Sequence, residues 1–329
     1  MRETVHIRLG EPGSAAPVAW AVTQVEPPVS VLVQHSPLEE VLPQCVGRRV
    51  WLYAPSADVR LMTATVPVKT AAKALAAVPY AVEEQFAEDV ESLHFAIANQ
   101  ALSANEWAVA AVSHSHMRAW LAPFSKAGIT PDALLPETLA LPFPRDGRWT
   151  AMAEVGHVTV RTGPNSGFGC LEEDFEQFLS MAEGGIPQPL RILIAQDVAT
   201  DFTQLNRDIE LLPGLDHPLQ ALARNAQPAQ AINLLQGPYL VRQGYQREWL
   251  AWRKVAALAG VGLLPAAVGH GVAAVQMSPG ADRQRTGHEA RFRPLFPSDE
   301  RIVDLRRPSE QHVRPASRWG GQSGLVPRR

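Results

Sequence analysis

The chain has 329 residues, 46% of them apolar and 19% charged, an ordinary globular composition with a slight apolar excess and length enough for two lobes and more. Its two cysteines, Cys45 and Cys170, are far apart and in no metal-ligand spacing, which excludes a disulfide scaffold and a cysteine-built metal site. Eleven of the 30 basic and six of the 33 acidic residues fall in 277–329, so that tail is net +5 and the remainder net −8. An acidic body argues against a nucleic-acid surface and for protein partners with basic patches. MRETVHIRLG has no apolar run behind its charges, so no cleavable signal peptide is expected.

The first 65 residues read as short strands: HIRLG, VAWAVTQV, VSVLVQH, RRVWLYAP and LMTATVPV are β-branched or aromatic-rich runs bounded by Pro, Gly and Asp. PLEEVLPQC makes a short helix or turn between two of them. A helix is expected from Thr70, as N-cap, to about Asp89. Its apolar face carries Ala74, Leu75, Val78, Val82, Phe86 and Val90, and Pro79 should kink or split it. Glu83, Glu84, Glu88 and Asp89 lie mostly opposite, as a solvated face or a docking surface for a basic partner. LHFAIANQ and EWAVAAVS suit a hairpin. HSHMRAWLAPFSKA suits a helix ended by Gly128, and ITPDALLPE a strand.

From Trp149, TAMAEVGHVTVRTG reads as a second hairpin with Gly156 and His157 near its bend. FGCLEEDFEQFLSMAEGG reads as a helix with Leu171, Phe175, Phe178 and Leu179 inward. LRILIAQ is a buried strand, and the segment after Asp197 reads as turn and short helix. Hairpins followed by helix and strand thus recur in two successive halves, which indicates α/β layering with mixed sheets and two lobes.

Residues Val255–Val275 form a run of 21 without Asp, Glu, Lys or Arg, long enough as a helix to cover a hydrocarbon core of roughly 30 Å. Arg247, Arg253 and Lys254 precede it with Trp249 and Trp252, a basic flank and aromatic belt that place its N-terminal side in the cytoplasm. Gly260, Gly262, Pro265, Gly269, His270 and Gly271 lower its hydropathy. Ala267 and Gly271, four apart, are candidates for close packing against a partner helix.

Chemistry-bearing motifs are sparse. There is no P-loop, no dinucleotide glycine fingerprint, no HExxH and no nucleophile elbow. His114 and His116 have no companion carboxylate or cysteine nearby in sequence and read as helix-start or surface residues. The hairpin around Glu154, Gly156 and Thr159 carries a hint of phosphate chemistry. Actin-like ATPases set an Asp-x-Gly-x-x-Thr-type hairpin against nucleotide phosphates; here the acid is Glu154, and the first half offers no Asp-Gly partner. No catalytic residue, cofactor or metal is expected.

Three blocks, VPYAVEEQFAEDVESLHFAI at 78–97, AGITPDALLPETLALP at 127–142 and INLLQGPYLVRQGYQREWLAWR at 232–253, resemble the protein L family of the type II secretion system. The resemblance runs from about residue 15 to 307. It implies a cytoplasmic domain with the two-lobed actin-like ATPase fold, built of RNase H-like lobes without a working catalytic set, then a single transmembrane helix. The corresponding domains are a first lobe at 1–145 with an inserted helix and hairpin, a second lobe at 146–240, a juxtamembrane segment at 241–254, the span at 255–275, and a periplasmic stem and tail at 276–329. It also implies an inner-membrane scaffold that recruits the cytoplasmic secretion ATPase, protein E, pairs with protein M and self-associates. FRPLFPSDERIVDLRR at 292–307 resembles the start of the family's periplasmic stem. The Pro-, Gly- and Arg-rich stretch after it should be disordered, in place of the family's ferredoxin-like domain. The alternatives are a membrane-tethered actin-like ATPase or kinase, and a type IV pilus assembly platform protein.

Overall fold

Apolar runs that bury both of their faces build the centre of the first lobe. In chain order it contains β1 (Thr4–Arg8), β2 (Val18–Thr23), β3 (Gln34–Ser36), α1 (Leu38–Cys45) and β4 (Arg49–Ala54). An insertion follows: β5 (Arg60–Thr65), α2 (Ala71–Val82), β6 (Leu93–Ile97) and β7 (Glu106–Ser113). The lobe then resumes with α3 (His114–Lys126), β8 (Ala133–Pro136) and the single turn α4 (Glu137–Ala140). The computed structural model describes residues 2–240 apart from 15, 25–26, 29, 69 and 144–145. The expected span with Ala267 and Gly271, its approach at 241–254 and the tail at 276–329 lie outside the described residues.

The first sheet has the order β3-β2-β1-β4-β8. β2 is antiparallel to β1 and β3, while β1, β4 and β8 are parallel. β1 and β4 are buried along almost their whole length, as parallel strands covered on both faces must be. α3 starts where Ser113 Oγ accepts the His116 N–H at 3.1 Å and inserts Met117, Trp120 and Phe124 into the core. Its end at Lys126, just before the left-handed Gly128, agrees with the sequence reading.

The insertion is a three-stranded antiparallel sheet, order β5-β7-β6, with its own core of Val78, Val82, Phe95, Trp107 and Val109. Here the structure narrows one expectation and corrects another. Pro79 lies inside α2 without splitting it, and α2 ends at Val82, not near Asp89. Two short 3-10 turns, Glu83–Gln85 and Val90–Ser92, replace the rest of the expected helix. The tertiary context explains the early stop: Phe86 leaves the helical path to sit edge-on against Phe95, and the Arg60 guanidinium covers its ring at 4.8 Å.

The second lobe repeats the plan with β9 (Trp149–Glu154), β10 (His157–Arg161), β11 (Gly167–Leu171), α5 (Phe175–Glu183), β12 (Leu190–Ala195) and β13 (Ile209–Leu215), and α6 (Pro218–Asn225) follows it in the chain. Its sheet order is β11-β10-β9-β12-β13, with β10 antiparallel to both neighbours and β9, β12 and β13 parallel. Strand order and directions match the first sheet one for one. This is the duplicated RNase H-like plan of the actin-like fold, with mixed sheets as expected.

Within this lobe FGCL forms a strand, and the helix begins only at Phe175. Leu171 (53% exposed) and Phe178 (42%) therefore do not point inward, whereas Phe175 and Leu179 do. The segment after Asp197, expected as turn and short helix, contains β13; the proline and glycine of IELLPGL are tolerated at the sheet edge.

The last described segment returns to the first lobe, so 146–240 is not one lobe. Leu219, Leu222, Ile232 and Leu234 join the core that holds β1 and β4. The Leu234 N–H donates to Leu134 O at 2.8 Å, and the Leu134 N–H donates to Asn233 Oδ1 at 3.0 Å. An open edge at β8 is thereby covered.

Candidate functional site

β1 and β9 occupy the same place in their respective sheets, and each ends on a charged residue at the junction of the lobes. Arg8, the last residue of β1, donates from Nη1 and Nη2 to the two oxygens of Glu154, the last residue of β9, at 2.7 and 2.5 Å. Its Nε donates to Oε2 of Glu137 at 2.8 Å, where β8 passes into α4. The Glu137 side chain is 1% exposed, against 18% for Arg8 and 20% for Glu154. Burial alone would raise the Glu137 carboxyl. The Arg8 charge, the Arg8 hydrogen bond and the Ser56 N–H outweigh it and hold the group below the ordinary carboxylate range. Burial likewise opposes the Arg8 charge, but Glu137 and Glu154 more than restore it, so the guanidinium is held more firmly protonated than usual.

A second set of bonds runs across the same junction. The Ser56 N–H donates to Glu137 Oε1 at 2.9 Å, while Ser56 Oγ is 2.8 Å from Thr159 Oγ1 and 2.9 Å from His157 Nε2 on β10. Room for this exists only because β11 carries glycine. A Cβ on Gly169 would lie 2.2 Å from Ser56 Oγ, and one on Gly167 would lie 2.5 Å from Thr138 Cγ2.

The three residues singled out for a phosphate hairpin are therefore brought to the junction but turned to other partners. Glu154 holds Arg8, and Thr159, fully buried, holds Ser56. Gly156 is left-handed at φ +75°, and its N–H donates to Glu172 Oε2 at 3.0 Å. In a phosphate-binding hairpin such an amide would point at the anion; here a carboxylate of the chain accepts it. The cluster of Arg8, Glu137 and Glu154 carries net −1, which repels a phosphate and leaves no cationic group free to draw one in. The residues present do not fit a nucleotide held against this hairpin.

The acidic residues are all exposed, Glu83 and Glu84 in the first of the two short turns after α2 and Glu88 and Asp89 between the turns. Glu88 borders a depression with Glu91, His114 and Arg118. His114 and His116 point apart: His114 Nδ1 meets Tyr239 Oη at 2.7 Å, and His116 Nδ1 lies 3.5 Å from Asp58 Oδ1. Among the described residues no cluster of His, Cys, Asp and Glu suits a metal ion. Both cysteines are buried, their thiols pushed up to about 11 by burial. Sequence reasoning missed Arg8, Ser56, Glu137 and Gly169; a charge closing the apolar run HIRLG was the only visible signal for any of them.

The family model described as "Type II secretion system (T2SS), protein L" matches residues 5–242. The chain belongs to this family. A second model, the GspL transmembrane domain, matches residues 248–316 and includes the expected span. The protein L of Pseudomonas aeruginosa is 29% identical over 85% of this chain and 69% of its own length, and that of Pectobacterium carotovorum subsp. carotovorum is 27% identical over 83% and 63%. The chain thus spans about two thirds of the length of these curated relatives. Among solved structures, the cytoplasmic domain of EpsL, an inner membrane component of the type II secretion system of Vibrio cholerae, aligns with a TM-score of 0.61 at 21% identity. It covers 72% of this chain and 99% of that domain, a likeness of fold. Membership makes the protein an inner-membrane component of a type II secretion system. No helix among the described residues is long and apolar enough to cross a membrane.

Proposed function

We infer that this protein L is a non-enzymatic scaffold that recruits the cytoplasmic secretion ATPase, protein E, to the inner-membrane platform, pairs there with protein M and self-associates. The observation that carries this reading is a domain matching protein L over 5–242, continuous in sequence with a transmembrane-domain match at 248–316. Such a chain joins a body of net −8 to a membrane anchor. The junction between the lobes supports the non-enzymatic part, since its hydrogen-bonding groups are committed to one another. For the same reason a tethered ATPase or kinase is disfavoured.

The anchor is the run Val255–Val275, with the N-terminal body in the cytoplasm and the C-terminus in the periplasm, and Ala267 and Gly271 are offered as its packing face. The docking surface for the ATPase is assigned to the exposed acidic segment carrying Glu83, Glu84, Glu88 and Asp89. Co-purification of the full chain with the N-terminal domain of the secretion ATPase tests the reading; absence of binding at tens of micromolar refutes it. Charge reversal at Glu84 and Glu88 should weaken that binding at least ten-fold. Unchanged affinity would move the docking surface elsewhere while leaving recruitment itself intact.

A further inference from the structure

We propose that Arg8, Glu137 and Glu154 form a built-in clamp that sets the closed arrangement of the two lobes, in the place where an actin-like fold would hold its nucleotide. The inference goes beyond scaffolding and does not depend on it.

The symmetry of the fold carries the argument. β1 and β9 are the central strands of two sheets with the same order and directions, and their last residues bear opposite charges. Arg8 uses all three guanidinium nitrogens at the junction: two grip Glu154 in the second lobe and the third grips Glu137 at the end of the first. Glu137 then uses its other oxygen to fix the Ser56 N–H, and Ser56 Oγ reaches across to Thr159 and His157. Two bridges therefore cross the junction, and Glu137 belongs to both.

The Ser56 bridge has room because Gly169 brings β11 against Ser56 with no Cβ between them. A ligand-bridged junction opens when the ligand leaves. Here the bridging groups are covalently part of the chain, so the angle between the lobes does not answer to a diffusible nucleotide. The clamp presents partners with one fixed arrangement of the body.

Amide hydrogen exchange on the full chain in detergent tests the proposal, comparing wild type with Arg8→Ala and Glu154→Gln. Glu154 is one-fifth exposed, so its variant removes the bidentate grip without stranding a deeply buried group. The expected result is exchange at least ten-fold faster at Ser56, Gly156 and Val158, with Leu52 and Ile192 in the sheet centres unchanged. Rates within two-fold of wild type at the junction in Glu154→Gln would overturn the proposal, and so would a rise spread evenly over both sheets. Adding Mg-ATP to the wild type should leave the junction amides unchanged; their protection by the nucleotide would also overturn it. Arg8→Ala serves as the stronger perturbation, and if it fails to fold Glu154→Gln decides alone. Loss of the clamp with ATPase binding retained separates this proposal from the scaffold reading.

Discussion

Replacing Glu137 by Gln keeps the shape of the side chain and removes its charge from a site that is 1% exposed. The carboxylate accepts two close donors on separate oxygens, Arg8 Nε at 2.8 Å and the Ser56 N–H at 2.9 Å, and a longer one from Thr159 Oγ1 at 3.5 Å. The amide has one oxygen, so its NH2 must face one of these donors and leave it unsatisfied. A hydrogen bond to a charged group contributes about 1.5–3 kcal/mol, and an orphaned buried donor costs about 1–3 kcal/mol. Against this, the amide avoids the burial penalty of a carboxylate, and Arg8 keeps its grip on Glu154. The net expectation is a loss of about 2 kcal/mol at neutral pH, read from urea unfolding of the unit spanning 1–243 by tryptophan fluorescence.

The pH dependence carries a second sign. The folded carboxyl is held below its ordinary 4.5, so the unfolded chain takes up the proton first as the solution is acidified. The contribution of Glu137 is therefore complete above about pH 4.5 and is lost as pH falls through the folded value. The gap between wild type and Glu137→Gln should narrow on acidification. A loss below about 0.5 kcal/mol at neutral pH, or a gap that does not narrow, would refute the reasoning.

Two further outcomes follow from the same geometry. Gly169→Ala places a methyl 2.2 Å from Ser56 Oγ and 3.0 Å from the Ser56 carbonyl carbon, so either the lobes separate or Ser56 gives up its bonds. A loss of about 1–3 kcal/mol is expected in the same unfolding assay, with faster exchange of the Ser56 amide; wild-type stability would show that the junction yields freely. His6, fully buried between Tyr53 Oη at 2.7 Å and Thr23 Oγ1 at 2.8 Å, is lowered from its ordinary 6.5 to about 4, by burial first and by Arg49 second. The unfolded chain binds that proton first, so stability present above about pH 6.5 declines towards pH 4 by as much as about 3 kcal/mol. His6→Gln should flatten that part of the stability–pH curve, and an unchanged slope would mean the imidazole is not the group responsible.

The sequence by itself determined the two-lobed α/β plan, because its strands advertise themselves through continuous apolar runs and its turns through Gly and Pro. It also located the Glu154–Thr159 hairpin and the family-like blocks. Local pattern failed where a distant contact decided the outcome. Helical spacing continues past Val82, yet the pull of Phe95 and Arg60 on Phe86 ends α2 there. The segment after Asp197 reads as turn and short helix, yet IELLPGL within it is a strand at the sheet edge. The segment from Pro218 to Tyr239 follows the second lobe in sequence and completes the first in space, since β8 and its core need cover.

The junction was the least legible part. Arg8 lies 129 residues from Glu137 and 146 from Glu154, and nothing about an arginine ending HIRLG announces partners that far along the chain. Pairing of this kind is set by the superposition of two sheets, a tertiary property that no local window carries. Only the tertiary structure decided that the acid of the phosphate-like hairpin faces a guanidinium of the same chain, because charge satisfaction in a buried site depends on which groups meet there.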